Sequence, residues 1–412
     1  MADASLFQQV LDYRNRADPY PLYARLREEP VVREADGSFV VTRYREIVSL
    51  LHDPRMSSDM RKRDERFAAG QQEESDEVPG LPPTFLRLDP PDHDRLRRLA
   101  MRGFGPPHAP RLVSGSEVRL RGIVTELLDG VVGRDRIDVV DDIAYPFPVA
   151  VICGLLGVPP EDEPRFRGWV DAVVGSMLVT TAEQQRARRE AVVALREYLG
   201  ALVAVRRETP GTDLLSGFAA DEGPDHWTDD GELLATSALL LVAGHETTVN
   251  LVANGMLTLL RHPDALDRLR AEPDFAIRMV EELLRYEPPV QLVSWRTPLE
   301  DVEVAGVRIP AGVPVTLLLA SGNRDPAHID DPELFVPDRP TIEHLGFGGG
   351  IHYCFGAPLA RLEAQIALTE LARRLERPRL VVDPPPYRPS PVLRGPRHLL
   401  VDVGGVRPAM SV

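Results

Sequence analysis

Lysine is almost missing from this chain: of 48 basic side chains one, Lys62, is a lysine and the rest are arginine. A coding bias toward G and C produces such a swap without any function, so the imbalance says nothing about chemistry. Cysteine is scarce as well. Cys153 and Cys354 stand about 200 positions apart, which excludes a disulfide framework and a cysteine-rich zinc site. No run of ~18 apolar residues occurs, so no membrane span is expected. The first twenty residues carry acids and lack an apolar stretch of signal-peptide length. Positive charge is in deficit, 48 basic against 63 acidic side chains for a net charge of −15. That balance argues against a nucleic-acid partner and against electrostatic attachment to anionic lipid. Together these absences predict a cytoplasmic protein with neither membrane nor nucleic acid as partner.

What remains is an ordinary globular composition, 43% hydrophobic and 27% charged over 412 residues, enough to bury a large core. Turn signals cut the chain finely, but no linker splits it, so residues 1–412 are expected to form one domain. The periodicity predicts a mainly α protein with minor β sheets near 30–45, 290–320 and 380–405. Helices are expected over 20–29, from Asp92 behind Pro90-Pro91, through most of 109–205, over 231–261, over 273–286 and over 357–375. Breaks are expected at 135–138, 145–148 and 157–160, and strands over 302–309 and 313–319. The polar stretch 57–83 reads as a mobile loop. Cys153, inside the apolar run VAVICGLLGV, reads as inert core.

The sharpest feature is Phe347-Gly-Gly-Gly-Ile-His-Tyr-Cys354-Phe-Gly356, a glycine-rich turn that leads into a helix. Backbone N–H groups and a helix N-terminus near the sulfur are expected to lower its pKa, which suits a nucleophile or a metal ligand. Three readings compete. A phosphate-binding loop lacks its lysine and its preceding strand. A cysteine nucleophile has His352 nearby but no further triad member. A haem thiolate needs only the one cysteine.

The run Phe347-x-x-Gly350-x-x-x-Cys354-x-Gly356, continued by Ala357-Pro-Leu-Ala-Arg361-Leu-Glu, closely resembles the haem-binding signature of the cytochromes P-450. Three further segments resemble the family in the expected order. Ala243-Gly-His-Glu246-Thr247-Thr lies in the middle of the ~30-residue helix, where glycine and charge are poor choices. Glu282-Leu-Leu-Arg285 resembles the family's E-x-x-R, which with Arg339 implies a buried charge network beneath the cysteine loop. His93 and Arg97, i and i+4 on one helix, resemble the residues that bind haem propionates, as do Arg296 and His352. Asn323-Arg-Asp-Pro326 matches a stretch of the bacterial members.

The resemblance implies the triangular P-450 fold around one haem b, with Cys354 as the iron ligand and Ala243 leaving room for a ligand. It implies that Thr247 hydrogen-bonds dioxygen or its water and that Glu246 relays protons. The bland alternative is a threonine bonded to its own i−4 carbonyl beside a solvent-facing glutamate. The implied reaction is a monooxygenation, with O2 and a small hydrophobic, natural-product-like substrate, by insertion into a C–H bond or C=C. Electrons are expected from a separate ferredoxin and ferredoxin reductase, docking near Cys354, with Arg95, Arg98 and Arg102 as a candidate basic patch. Substrate contacts are expected from Leu240, Ala243, residues 292–294 and the 57–86 loop. Two alternatives stand beside this: oxidative cyclisation, coupling or desaturation on the same scaffold, and a haem protein that carries or senses a ligand without turnover.

Overall fold

A helix that is apolar on nearly every face can only run through an interior, and the segment Asp230–Arg261 does so. Its 32 residues extend ~48 Å at ~1.5 Å per residue. The computed structural model describes residues 4–68, 81–102, 115–175, 181–220 and 226–409, and this central helix organises them. It starts where the Asp229 carboxylate accepts from the Glu232 N–H, and it ends at His262-Pro263. Several of its polar side chains bond back to the helix itself. The hydroxyls of Ser237, Thr247 and Thr258 and the Asn250 amide donate to carbonyls four residues back. His245 and His262 do the same through Nδ1.

Apolar residues of the central helix share one large core with the helices Glu117–Asp129, Pro146–Leu156, Phe275–Tyr286 and Ala357–Arg374. Gly244 lies against Ile152, whose Cδ1 is 2.9 Å from where a Cβ would stand, so the two helices cross without side-chain bulk at that point. Cys153 is buried in this core and its thiol is pushed up to about 12 by burial, as expected of inert packing.

The β structure is small and peripheral. One five-stranded sheet runs in the order Val31–Arg33, Phe39–Val41, Val315–Leu317, Val293–Pro298, Met56–Ser57. Only Phe39–Val41 and Val315–Leu317 pair in parallel. The expected strand over 302–309 is a hairpin, Val302–Val304 with Val307–Ile309, turned by Ala305 and Gly306 at positive φ. The expected break at 135–138 is itself a strand, Arg136–Asp138, paired with Leu400–Asp402 from the tail. Three charged or polar side chains beside one isoleucine hide a strand whose partner lies over 250 residues away. Part of the 57–83 stretch is ordered: Met56–Ser57 is a sheet edge, and the turn Met60–Lys62 follows, with Lys62 exposed. Residues 69–80, and the expected helical start at 109, lie outside the described residues. No described helix is long and apolar enough to cross a membrane.

The helix Phe275–Tyr286 carries the charge network that holds the segment 320–345 in place. Arg285 and Glu282 are both fully buried and joined by two 2.7 Å hydrogen bonds. Arg285 also donates to the carbonyls of Asn323, Pro332 and Leu334, and Arg339 donates to Glu282 at 3.2 Å. Every guanidinium donor of Arg285 thus meets an acceptor, the condition for burying that charge. Removing one member strands the other. We expect Arg285→Ala to lower folded stability by ~3–5 kcal/mol, read from the urea midpoint. Arg285→Lys should recover only part of it, because an ammonium cannot reproduce the fork.

Candidate functional site

The cysteine loop is a tight sequence of turns. Gly348 N–H donates to the Leu345 carbonyl, Tyr353 N–H to Gly350, and Cys354 N–H back to Phe347. Gly348 and Gly350 both have positive φ, at 69° and 63°. At Gly350 there is a second reason for glycine: a Cβ would stand 2.0 Å from the Leu51 carbonyl oxygen. The loop ends at Gly356, the N-cap of Ala357–Arg374.

Cys354 is accessible, yet protein closes around it enough that burial pushes its thiol up. The Gly356 and Ala357 N–H groups, Arg97 and Arg361 oppose that rise without overcoming it. The expected lowering is therefore corrected: the donors are present, but desolvation outweighs them. The sulfur needs a cationic partner to persist as a thiolate.

Beside the loop, four basic side chains converge. His93 and Arg97 come from the helix Asp92–Arg102, Arg296 from the strand Val293–Pro298, and His352 from the loop itself. The His93 and His352 rings meet edge to face at 4.5 Å. Ser58 links the others: its hydroxyl lies 2.8 Å from His352 Nε2 and accepts from Arg296 Nη1 at 2.5 Å. Arg97 donates to the Tyr353 carbonyl at 2.6 Å. Asp89 anchors the Ser57–Ser58 edge by accepting from the Ser57 hydroxyl and the Ser58 N–H.

Basic groups outnumber carboxylates here, although Asp94 lies 2.7 Å from His93 Nδ1 and Asp89 faces Arg296. Burial, then Arg296, His93 and Arg97, pull His352 down to about 3. Burial takes Arg296 down to about 10, against the pull of Asp89. His93 Nε2 and His352 Nδ1 are buried without a hydrogen-bond partner among the described residues. Such a group of donors fits a pair of carboxylates entering from one side. A haem brings two propionates, and an accessible sulfur beside them is a ligand for its iron, so the residues fit that cofactor.

On the central helix Ala243 is exposed between half-buried Val242 and Gly244, and Thr247 shares its face. The Thr247 hydroxyl donates to the Ala243 carbonyl at 2.9 Å, the bland geometry. Glu246, in contrast, does not face solvent. It is 1% exposed, paired through Oε1 with Arg388 Nη1 at 3.1 Å, and burial raises its carboxyl while Arg388 opposes. Leu239 and Phe355 both pack on Phe85, Leu88, Leu96, Leu99 and Ala100, a hydrophobic wedge between the helix and the cysteine loop.

Two expectations are corrected, and one set of residues had not been expected. Leu240 and Leu292 belong to packed cores rather than to an open face. Arg95 is committed to Glu232, with Nη2 at 2.6 Å, so it is not a spare positive charge. The sequence reading missed Ser58, Asp89, Arg388 and the trio Glu281–Arg361–His344. Glu281 accepts from Arg361 and lies 3.1 Å from His344 Nε2, tying Phe275–Tyr286 to both ends of the cysteine loop. Burial opposes its ionisation, but those bonds hold it down at about 2. None of these residues has a local motif, although Arg361 lies inside the quoted signature.

Comparison with known proteins agrees with the geometry. The family model described as Cytochrome P450 matches residues 40–401. The cytochrome P450 monooxygenase PikC of Streptomyces venezuelae is 41% identical over 396 residues, covering 93% of this chain and 90% of its own. The vitamin D(3) 25-hydroxylase of Pseudonocardia autotrophica is 38% identical, covering 94% of each. The ligand-free structure of Mycobacterium smegmatis CYP164A2 superposes with a TM-score of 0.88 at 41% identity, covering 97% of this chain and 99% of its own.

The two positive-φ glycines give a test of the loop. Gly348→Ala meets nothing within 4 Å and should cost ~1 kcal/mol for its backbone alone. Gly350→Ala adds the collision with Leu51 and should cost distinctly more, measured as paired urea midpoints.

Proposed function

The chain belongs to the cytochrome P450 family, and from that premise we propose that it inserts one oxygen atom of O2 into a C–H bond or C=C of a largely apolar, natural-product-like molecule. It is a monooxygenase, and the family's cofactor is a haem held through a thiolate. The observation that carries the assignment of this chain's residues is the cluster of four basic side chains beside Cys354, two of them with a buried ring nitrogen that has no partner among the described residues.

In this reading Cys354 Sγ is the iron ligand, and His93, Arg97, Arg296 and His352 hold the propionates. The bound haem, pushed by the thiolate, supplies dioxygen cleavage and the oxidation of substrate. The chain's own work is positioning and proton supply. Ala243 offers a small surface over which dioxygen fits. Thr247 turns its hydroxyl from the Ala243 carbonyl toward dioxygen or its water. Converting O2 to one inserted oxygen and one water consumes two protons and two electrons, and Glu246 is the group that holds and passes the protons. Burial raises its pKa above the ordinary carboxyl value, which favours the protonated form, while Arg388 opposes.

Electrons arrive from a separate ferredoxin and its reductase in the cytoplasm, docking where Ile351 and Tyr353 stand exposed next to Cys354. The substrate class rests on the relatives named above, one of them a hydroxylase of a large apolar molecule by its name.

The carbon monoxide difference spectrum of the reduced protein tests the ligand. A strongly red-shifted Soret band, lost in Cys354→Ala, is expected; a histidine-like band from well-folded wild type would overturn the assignment. For the proton step, Glu246→Gln should slow product formation by ~100-fold while oxygen uptake continues and peroxide accumulates.

A further inference from the structure

Buried polar atoms almost always find a hydrogen-bond partner, in protein or in ordered water. Six buried side-chain atoms that lie together around Glu246 have none among the described residues. They are Tyr145 Oη, His245 Nε2, Glu246 Oε2, Asn250 Oδ1, and Nε and Nη2 of Arg388. All five residues are more than nine-tenths buried. The group is connected. His245 Nε2 stands 4.0 Å from Glu246 Oε2, too far for a direct bond. The Tyr145 ring meets the His245 ring edge to face at 5.9 Å. Arg388 Nη1 lies 3.1 Å from Glu246 and 3.6 Å from Asp171, whose side chain is 43% exposed.

We propose that Tyr145, His245, Asn250 and Arg388 enclose a chain of internal water molecules that carries protons from Asp171 at the surface to Glu246 Oε2. The inference rests on Glu246 as the proton donor in the reading above. Its chemistry follows from the side chains. His245 Nδ1 lies 2.8 Å from the Leu241 carbonyl and must donate to it, so Nε2 is left as an acceptor in the neutral ring. Burial holds that ring neutral, with its pKa at about 4. Arg388 stays charged, so it transfers no proton. It orients water through Nε and Nη2, while Nη1 faces both Glu246 and Asp171. Tyr145 and Asn250 add one hydroxyl and one acceptor. Water is the partner that can satisfy donors and acceptors of such mixed geometry in one place. In each transfer Asp171 gains a proton from solvent, O–H bonds along the waters break and re-form in sequence, and Glu246 Oε2 receives one, with no electron moved. Asp171 and Arg388 are positioning residues here, since neither touches the reacting atoms.

Two measurements on the haem-loaded enzyme test it. A crystal structure that resolves waters should show them within hydrogen-bond distance of His245 Nε2 and Arg388 Nη2; direct side-chain bonds closing those gaps would overturn the proposal. In NADPH-driven oxygen reduction through a plant-type ferredoxin and its reductase, Asp171→Asn and Tyr145→Phe should raise the D2O isotope effect above wild type. They should also increase the peroxide fraction severalfold, and Asp171→Glu should restore both. An unchanged isotope effect in Asp171→Asn sinks the route while leaving Glu246 in place. If Glu246→Gln itself changes neither quantity, with a normal carbon monoxide band, the earlier reading of Glu246 fails instead.

Discussion

Arg285 has no access to water, and a guanidinium in that position is tolerable only when each of its donors is met. Its partners are Glu282 on its own helix and three carbonyls from the segment 323–334. That segment has little regular structure to hold it, so its course follows from neutralising one charge. It then fixes what comes next. Asn323 accepts from the Leu345 N–H at 2.6 Å, and at Gly346 a Cβ would lie 2.8 Å from the Leu284 carbonyl. The cysteine loop begins at that point, so the sulfur's place depends on a salt bridge it never touches. One residue earlier, Glu281 clamps the loop's far side through Arg361 and His344.

Features with a local cause were legible in the sequence. The central helix follows from an apolar run with a cap at Asp229, and the cysteine loop from glycines whose spacing admits few other structures. The basic residues beside it were legible only through family resemblance, since His93, Arg97, Arg296 and His352 come from three separate segments. What escaped was assembled at long range. The strand Arg136–Asp138 takes its partner from residues 400–402, Ser58 is a lone hydroxyl, and Arg388 sits in a proline-rich tail with no periodicity to mark it. The thiol's pKa was misjudged for a related reason: helix and N–H effects are local, whereas the desolvation that outweighs them depends on the whole surrounding fold.

Two groups of buried polar atoms lie on the two sides of this molecule's chemistry, and they differ in sign. Beside Cys354 the side chains are nearly all basic, which selects an anionic partner, and burial, then Arg296, His93 and Arg97, hold His352 down. Around Glu246 donors and acceptors are mixed and one carboxyl is held toward its protonated form. The first arrangement binds and orients; the second stores and passes a proton. The rings of Phe85 and Phe355, part of the hydrophobic wedge, pack against His93 and Arg97 on the basic side.

Lys62 closes the short turn that follows the Ser57–Ser58 edge, exposed and four residues from the serine that joins Arg296 to His352. It is the chain's one side-chain amine. An amine-reactive dye, tether or electrode linker would therefore attach there and, apart from the chain's own amino terminus, nowhere else. Every molecule labelled through a side chain would present the turn beside the same sheet edge to its support. Immobilised or fluorescent forms of this enzyme can be made uniform in orientation without engineering a new handle.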